Sequence, residues 1–128
     1  MPTTDVHRRQ AEHNLGLALE LDYNRYPDWA AVVMFYCAVH WVEAVLAELS
    51  PADQEHSATH RSREARMRAH PTVFTEPVYD AFRWLKTWSV HARYDDWQAT
   101  GFFTPENLVT LREETLGLVT TELSRALR

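Results

Sequence analysis

The sequence contains a single cysteine, Cys37, which excludes an intramolecular disulfide. A lone thiol is typical of proteins in a reducing compartment, so we expect a cytoplasmic location. The N-terminal segment has no apolar run, which argues against a secretory signal peptide. The longest apolar stretch, Ala30 to Val42, is short and carries aromatic and polar side chains, so we expect no membrane span.

Glycine is also scarce, with three residues in the chain, and no segment alternates apolar and polar side chains as a half-exposed strand does. Both absences favour helices. The chain lacks a glycine-rich phosphate loop, a cysteine–histidine zinc spacing and the nucleophile elbow of hydrolases. The motifs therefore predict no cofactor and no metal ion.

Positive charge is in deficit, since 13 basic residues face 18 acidic ones and the net charge is −5. This balance argues against broad, sequence-independent binding to nucleic acid, but it allows a local basic site. A length of 128 residues indicates one domain, residues 1–128, which buries about two-thirds of its unfolded surface.

The spacing of apolar residues predicts five helices, joined by short loops such as "SPADQEHS" and "DDWQATGFF". The second is apolar nearly all round, which is typical of a central helix. The predicted fold is an all-α, antiparallel four- to five-helix up-and-down bundle. The predicted helices run from about Thr4 to Tyr23, Pro27 to Leu49, Ala58 to His70, the Thr75 cap to Tyr94, and from Pro105 onward.

The fourth helix places Ser89 and Arg93 on one side, beside the core face, and His91 on nearly the opposite side with Trp84. His91 and Arg93 therefore cannot act together while the helix persists. An unpaired guanidinium beside the core would be costly. Arg93 therefore needs either a ligand or a structural salt bridge, to Asp96 or to a carboxylate of another helix.

The second and third helices carry further polar stripes. Trp29, Tyr36, His40 and Glu43 share one face of the second helix. His40 is there either a site residue or a core histidine that is hydrogen-bonded to Glu43 or Tyr36. The third helix places His60, Arg63, Arg66 and His70 on one side, as a phosphate site or as a solvated basic face. A mononuclear metal site from His13, His40 and His60 is a weaker hypothesis, because their spacing does not require one.

Four motifs together resemble small bacterial proteins of the HEPN family (higher eukaryotes and prokaryotes nucleotide-binding). They are "AEHN", "YPDWAAVVMFYCAVH", His60-x-x-Arg63 and "Y..F..L...S..ARY", which ends at Tyr94. The resemblance covers residues 11 to 94. It implies a helical bundle that is usually a homodimer. Many members are metal-independent endoribonucleases, often toxins or antiphage effectors, whereas others have lost catalysis and bind RNA, nucleotides or a partner protein.

The chain departs from the nuclease signature of that family, which is arginine, four to six residues, then histidine, late in the bundle. No histidine follows Arg93, and Arg83 precedes His91 by one residue too many. Matching spacings occur only elsewhere, at Arg8 with His13 and at Arg63 with His70. The usual catalytic pair is therefore absent from its expected place, which leaves the enzymatic activity open.

RNA cleavage through the 2′-hydroxyl needs a proton acceptor, a proton donor and a cation at the phosphorane. His40, His60 and Arg93 are the candidate catalytic residues. The candidate binding residues are Tyr36, Glu43, Arg63, Arg66, Ser89 and Tyr94. The alternative is a catalytically inactive, antitoxin-like or accessory module that binds a protein through exposed tryptophans, drawn from Trp41, Trp84, Trp88 and Trp97.

Overall fold

The computed structural model describes residues 3–50 and 57–128, and all regular structure in those two ranges is helical. The predicted all-α fold class is confirmed. Residues 51–56 of the predicted loop "SPADQEHS" lie outside the described residues. The elements are α1 (Thr4–Glu20), α2 (Pro27–Leu49), α3 (His60–Arg68), α4 (Glu76–Tyr94), α5 (Trp97–Thr100), α6 (Pro105–Thr110), a π-helical segment (Leu111–Leu116) and α7 (Gly117–Ala126).

Helix α2 lies at the centre of the fold and packs against α1, α3, α4, α6, the π segment and α7. Its near-continuous apolar sequence follows from this position, because neighbours cover it on several sides. Phe35 of α2 packs on Phe82 of α4 with ring centroids 5.5 Å apart, and both side chains are fully buried. The predicted central position of this helix is confirmed.

By length and composition α2 is able to cross a membrane, with 23 residues and a mean hydropathy of 1.8 in its most apolar window. The sequence led us to expect no helix long enough to span a membrane, because only the stretch Ala30 to Val42 was considered. The helix continues past that stretch at both ends. Most of the window is buried inside the fold. A core helix of a soluble protein has the same properties.

Two helix boundaries differ from the sequence prediction because side chains fold back on the helix ends. Helix α1 ends at Glu20 rather than near Tyr23. The hydroxyl of Tyr23 donates to the carbonyl of Ala18 and accepts a 3.0 Å hydrogen bond from Arg112, so Tyr23 is buried beyond the last turn. Helix α3 begins at His60 rather than Ala58, since Thr59 and Ser62 form a reciprocal capping box.

The final helical region begins as predicted, with the Thr104 hydroxyl accepting a 3.2 Å hydrogen bond from the Asn107 amide. It is interrupted by the π segment, which the sequence prediction missed. Leu111 and Leu116 are five residues apart and both are buried. A regular α-helix would place them on different faces, whereas the wider π turn keeps both toward the core.

The predicted loop "DDWQATGFF" contains the one-turn helix α5. Gly101 follows it with φ of 74°, a left-handed conformation that glycine adopts without steric cost. The turn directs Phe102 and Phe103 back toward α4, where Phe103 packs on Trp88 with ring centroids 4.9 Å apart. The structured turn thus positions an aromatic group that a loop assignment does not predict.

Candidate functional site

A buried ion pair joins α2 to α3. Glu43 is 2% exposed and Arg63 is 4% exposed, and Arg63 Nε donates to Glu43 Oε1 at 2.8 Å. The other oxygen, Oε2, accepts from the Ser57 amide at 3.4 Å and lies 3.7 Å from an Arg66 nitrogen. Glu43 and Arg63, both predicted as binding residues, therefore neutralise each other inside the fold.

His60 lies next to this pair, with its Nδ1 atom 2.8 Å from an Arg63 nitrogen. A guanidinium only donates hydrogen bonds, so Nδ1 accepts and the neutral ring carries its proton on Nε2. The pKa of His60 is lowered from its ordinary 6.5, first by burial and then by the positive charges of Arg63, Lys86 and Arg93. His60 therefore presents a neutral N–H donor, while its lone pair faces Arg63.

Arg93 lies near enough to His60 to lower its pKa, is half-buried, and makes weak contacts. Its Nε donates to the Ser89 carbonyl at 3.3 Å and a terminal nitrogen donates to the Tyr36 hydroxyl at 3.4 Å. The guanidinium also lies 5.9 Å from the ring centre of Tyr36 and 5.1 Å from that of Tyr94. Among residues 3–50 and 57–128, no carboxylate forms a salt bridge with it, so the pairing considered with Asp96 or another helix is not found.

We call the group around His60 the cationic cluster. Among residues 3–50 and 57–128 it holds five cationic side chains and two carboxylates, in a chain whose net charge is −5. Glu43 balances arginines of α3, whereas Glu64 pairs with Lys86 at 2.6 Å and with Arg83 at 3.3 Å. The cations are Arg63, Arg66, Arg83, Lys86 and Arg93, and the carboxylates are Glu43 and Glu64.

The remaining predicted site residues lie at different depths. Ser89 is completely buried, and its hydroxyl has no hydrogen-bond partner among the described residues, so it lies beneath the cluster and away from solvent. Tyr94 is 74% exposed beside Arg93 and is open to a ligand. His40 Nδ1 lies 3.0 Å from Nδ1 of His7 on α1, a contact that the sequence reasoning missed.

A contact between histidines of two helices depends on how the helices pack, so the sequence alone does not predict it. The one sequence feature that indicated burial of His7 is the face of α1 that it shares with two alanines. His7, Ala11 and Ala18 are the buried residues of that helix. The weaker hypothesis of a site from His13, His40 and His60 receives no support, because the described residues contain no group of three potential metal ligands.

A second feature is an aromatic pocket of about 240 Å³ on the other side of α4. Trp84, 52% exposed, stands perpendicular to Trp88 with ring centroids 6.2 Å apart. Trp84 points away from the core, as predicted, whereas Trp41, predicted as surface aromatic area, is only 4% exposed and belongs to the core. The pocket is lined by Trp84, Thr87, Trp88, His91, Thr100, Phe102 and Phe103.

Comparisons of the chain with protein-family models, with curated proteins and with solved structures found no match. The functional interpretation therefore depends on the geometry of two surfaces. The cationic cluster suits an anionic ligand for two reasons. The guanidinium of Arg93 forms no salt bridge among the described residues, and the neutral ring of His60 offers an N–H donor. The aromatic pocket suits an apolar anchor.

The buried pair of Glu43 and Arg63 predicts a large loss of stability when one partner is neutralised. In Glu43→Gln, Arg63 stays buried without a counter-charge, and we expect the free energy of unfolding to fall by about 3–5 kcal/mol. Urea denaturation of the wild type and the variant measures this change. Asp5→Asn, which removes the exposed partner of Arg8, is the control and changes stability by about 1 kcal/mol or less. Equal, small losses in both variants would contradict the structural role of Glu43.

The lowered pKa of His60 predicts a specific dependence of stability on pH. Below pH 6.5 the unfolded chain protonates this histidine before the folded protein does, so the free energy of unfolding falls as pH decreases toward the lower folded value. We expect a shallower decrease in His60→Asn, measured by urea denaturation from pH 7.5 to 5. His13→Asn, at an exposed position of α1, is the control that keeps the wild-type slope. Parallel curves for the wild type and His60→Asn would refute this assignment.

Proposed function

We propose that this chain is a HEPN-like domain that binds RNA or a nucleotide through a phosphate at the cationic cluster. The observation that carries the proposal is Arg93, a half-buried guanidinium that pairs with no carboxylate among the described residues. Arginine binds phosphate through several N–H donors at once, and low exposure strengthens such contacts. Cations outnumber carboxylates among the described side chains around it, which favours an anion at this place in an otherwise acidic protein.

The donors around Arg93 suit different parts of a nucleotide. Its guanidinium and the Nε2–H of His60 are groups that suit a phosphate, since both donate and neither accepts. The exposed ring of Tyr94 beside the guanidinium offers a surface on which a base stacks. Arg63 and Arg66 share the single carboxylate of Glu43, so they support the site rather than bind the phosphate directly.

The geometry supports binding more directly than cleavage. A proton acceptor for the 2′-hydroxyl needs an accessible lone pair, and the lone pair of His60 accepts from Arg63. Endoribonuclease activity therefore requires that Arg63 move away or that another group accept the proton. We accordingly propose RNA or nucleotide binding as the primary function and metal-independent cleavage as an activity to be assayed with it.

The binding proposal predicts that Arg93→Ala weakens affinity for a fluorescent single-stranded RNA at least tenfold, since a charged hydrogen bond contributes about 1.5–3 kcal/mol. Removal of one phosphate contact also lowers the slope of log affinity against log salt by about 1. Fluorescence anisotropy at several salt concentrations measures both quantities. Arg83→Ala, which removes an exposed arginine of the same helix paired with Glu64, is the matched control and has a smaller effect.

The same proteins are incubated with a mixed RNA pool in EDTA. Cleavage by the wild type that is lost in a folded Arg93→Ala variant adds an endoribonuclease activity to the binding function. Equal affinity of the wild type and Arg93→Ala for RNA and for mononucleotides, with no effect of salt, would rule out the proposed site. Circular dichroism of each variant shows that the fold is intact.

A protein-interaction function is the second candidate, and the aromatic pocket favours it. Trp84 and Phe102 are 52% and 66% exposed at the mouth of a concave apolar surface, where an anchor side chain of a partner would lose contact with water. The partner we propose is a second copy of the chain, as the family resemblance leads us to expect. Dimerisation and RNA binding then use opposite sides of α4.

Self-association through this pocket predicts that Trp84→Ala raises the dimer dissociation constant about 30-fold or more, as loss of a central aromatic anchor costs about 2 kcal/mol or more. Analytical ultracentrifugation across a concentration series measures the constant. Tyr94→Ala removes an exposed aromatic residue of α4 that does not line the pocket, and it leaves the dimer unchanged. A wild type that is monomeric at all concentrations contradicts the homodimer.

A further inference from the structure

One face of the central helix α2 stays open from Trp29 to His40. The residues that retain exposure in this range recur every three or four positions, which places them on one side of the helix, and every residue between them is buried. Trp29 is 56% exposed, and the Tyr36 hydroxyl on the same side contacts Arg93. We call this side the open stripe, and its residues are Trp29, Val32, Val33, Tyr36 and His40.

We propose that a single strand of RNA lies along the open stripe, from the phosphate site at Arg93 to a second stacking surface at Trp29. This inference rests on the proposed function and narrows its ligand to an oligonucleotide. Tyr36 and Trp29 are seven residues apart, which corresponds to about 10 Å along the helix at about 1.5 Å per residue. Stacked nucleotides advance about 3.4 Å each, so about four nucleotides reach from one residue to the other and a mononucleotide does not.

The far end of the open stripe carries a guanidinium in a setting similar to that of Arg93. Arg25 belongs to the turn before α2 and lies 5.2 Å from the ring centre of Tyr26, which is 40% exposed. Within the two described ranges no carboxylate forms a salt bridge with Arg25, although Asp22 and Asp28 are close in sequence. A ring face holds a guanidinium without removing its capacity to bind an anion. Arg25 is therefore able to hold a second phosphate.

Exposed rings and guanidinium groups that alternate along one surface are typical of sites for single strands. The rings of Trp29 and Tyr94 offer stacking surfaces for bases of any kind, and Arg25 and Arg93 attract the phosphates between those bases. In a duplex the bases are already stacked on one another and must be extruded before they reach a ring. The open stripe therefore favours a single strand over a duplex.

The test compares a fluorescent hexaribonucleotide with a fluorescent mononucleotide, each titrated with the full-length chain in EDTA. The wild type is expected to bind the hexanucleotide at least about tenfold more tightly, because linked contacts reinforce one another. Trp29→Ala is expected to weaken hexanucleotide binding about fivefold or more, since it removes one stacked base, and to leave mononucleotide binding unchanged. Trp29→Phe keeps a ring and most of the affinity. Trp84→Ala removes a tryptophan of similar exposure, 52%, outside the open stripe and is expected to bind both ligands like the wild type.

Salt dependence tests the second phosphate contact separately. Arg25→Ala is expected to lower the slope of log affinity against log salt by about 1 for the hexanucleotide and to leave the mononucleotide slope unchanged. Arg125→Ala removes an exposed arginine that is paired with Glu122 on α7, and it is expected to keep both wild-type slopes.

The outcomes separate this inference from the proposed function. Full hexanucleotide affinity in Trp29→Ala, or an unchanged slope in Arg25→Ala, would overturn the extended site. If Arg93→Ala still loses both ligands, the phosphate site at Arg93 stands without it. A duplex of six base pairs that binds as tightly as the single strand would also overturn the inference. A wild type that binds neither ligand would remove the inference and the proposed function together.

Discussion

The position of the short helix α3 depends on one buried carboxylate. Glu43 lies on the otherwise apolar central helix, and an unpaired charge at that depth would be strongly destabilising. Arg63 supplies the counter-charge, and the amide of Ser57 supplies a further donor to the same carboxylate. Because Arg63 is fixed in this way, it fixes the ring of His60 in turn. The buried carboxylate of Glu43 thus fixes Arg63, and Arg63 fixes His60 nearer the surface.

This arrangement separates the arginines into two kinds. Arg63 is neutralised by Glu43 and contributes to the structure of the protein, whereas Arg93 rests on aromatic rings and a serine carbonyl. Ring faces attract a guanidinium without removing its capacity to bind an anion. The charge of Arg93 is therefore held in place without a carboxylate. Such an arrangement suits a ligand that arrives already carrying negative charge.

The elements that follow from local periodicity were predictable from the sequence. The all-round apolar pattern of α2 marks it as the central helix, and the position of Trp84 on α4 marks it as exposed. The elements that depend on contacts between distant segments were not predictable. Tyr23 lies beyond the end of α1, where Arg112, 89 residues away in the sequence, donates to its hydroxyl. Similarly, nothing in the spacing of His7 and His40 indicates that they meet.

The π segment between α6 and α7 has a consequence for how this chain tolerates changes in length. Elsewhere in a packed helix an inserted residue rotates every later side chain away from its neighbours. Between Leu111 and Leu116 the helix already contains one residue more than α-helical winding accommodates, and the leucines on both sides remain buried. The turn thus holds one extra residue while the side chains before and after it keep their register toward the core. The segment also borders Trp84 and Trp88, so the extra residue shapes the surface beside these tryptophans.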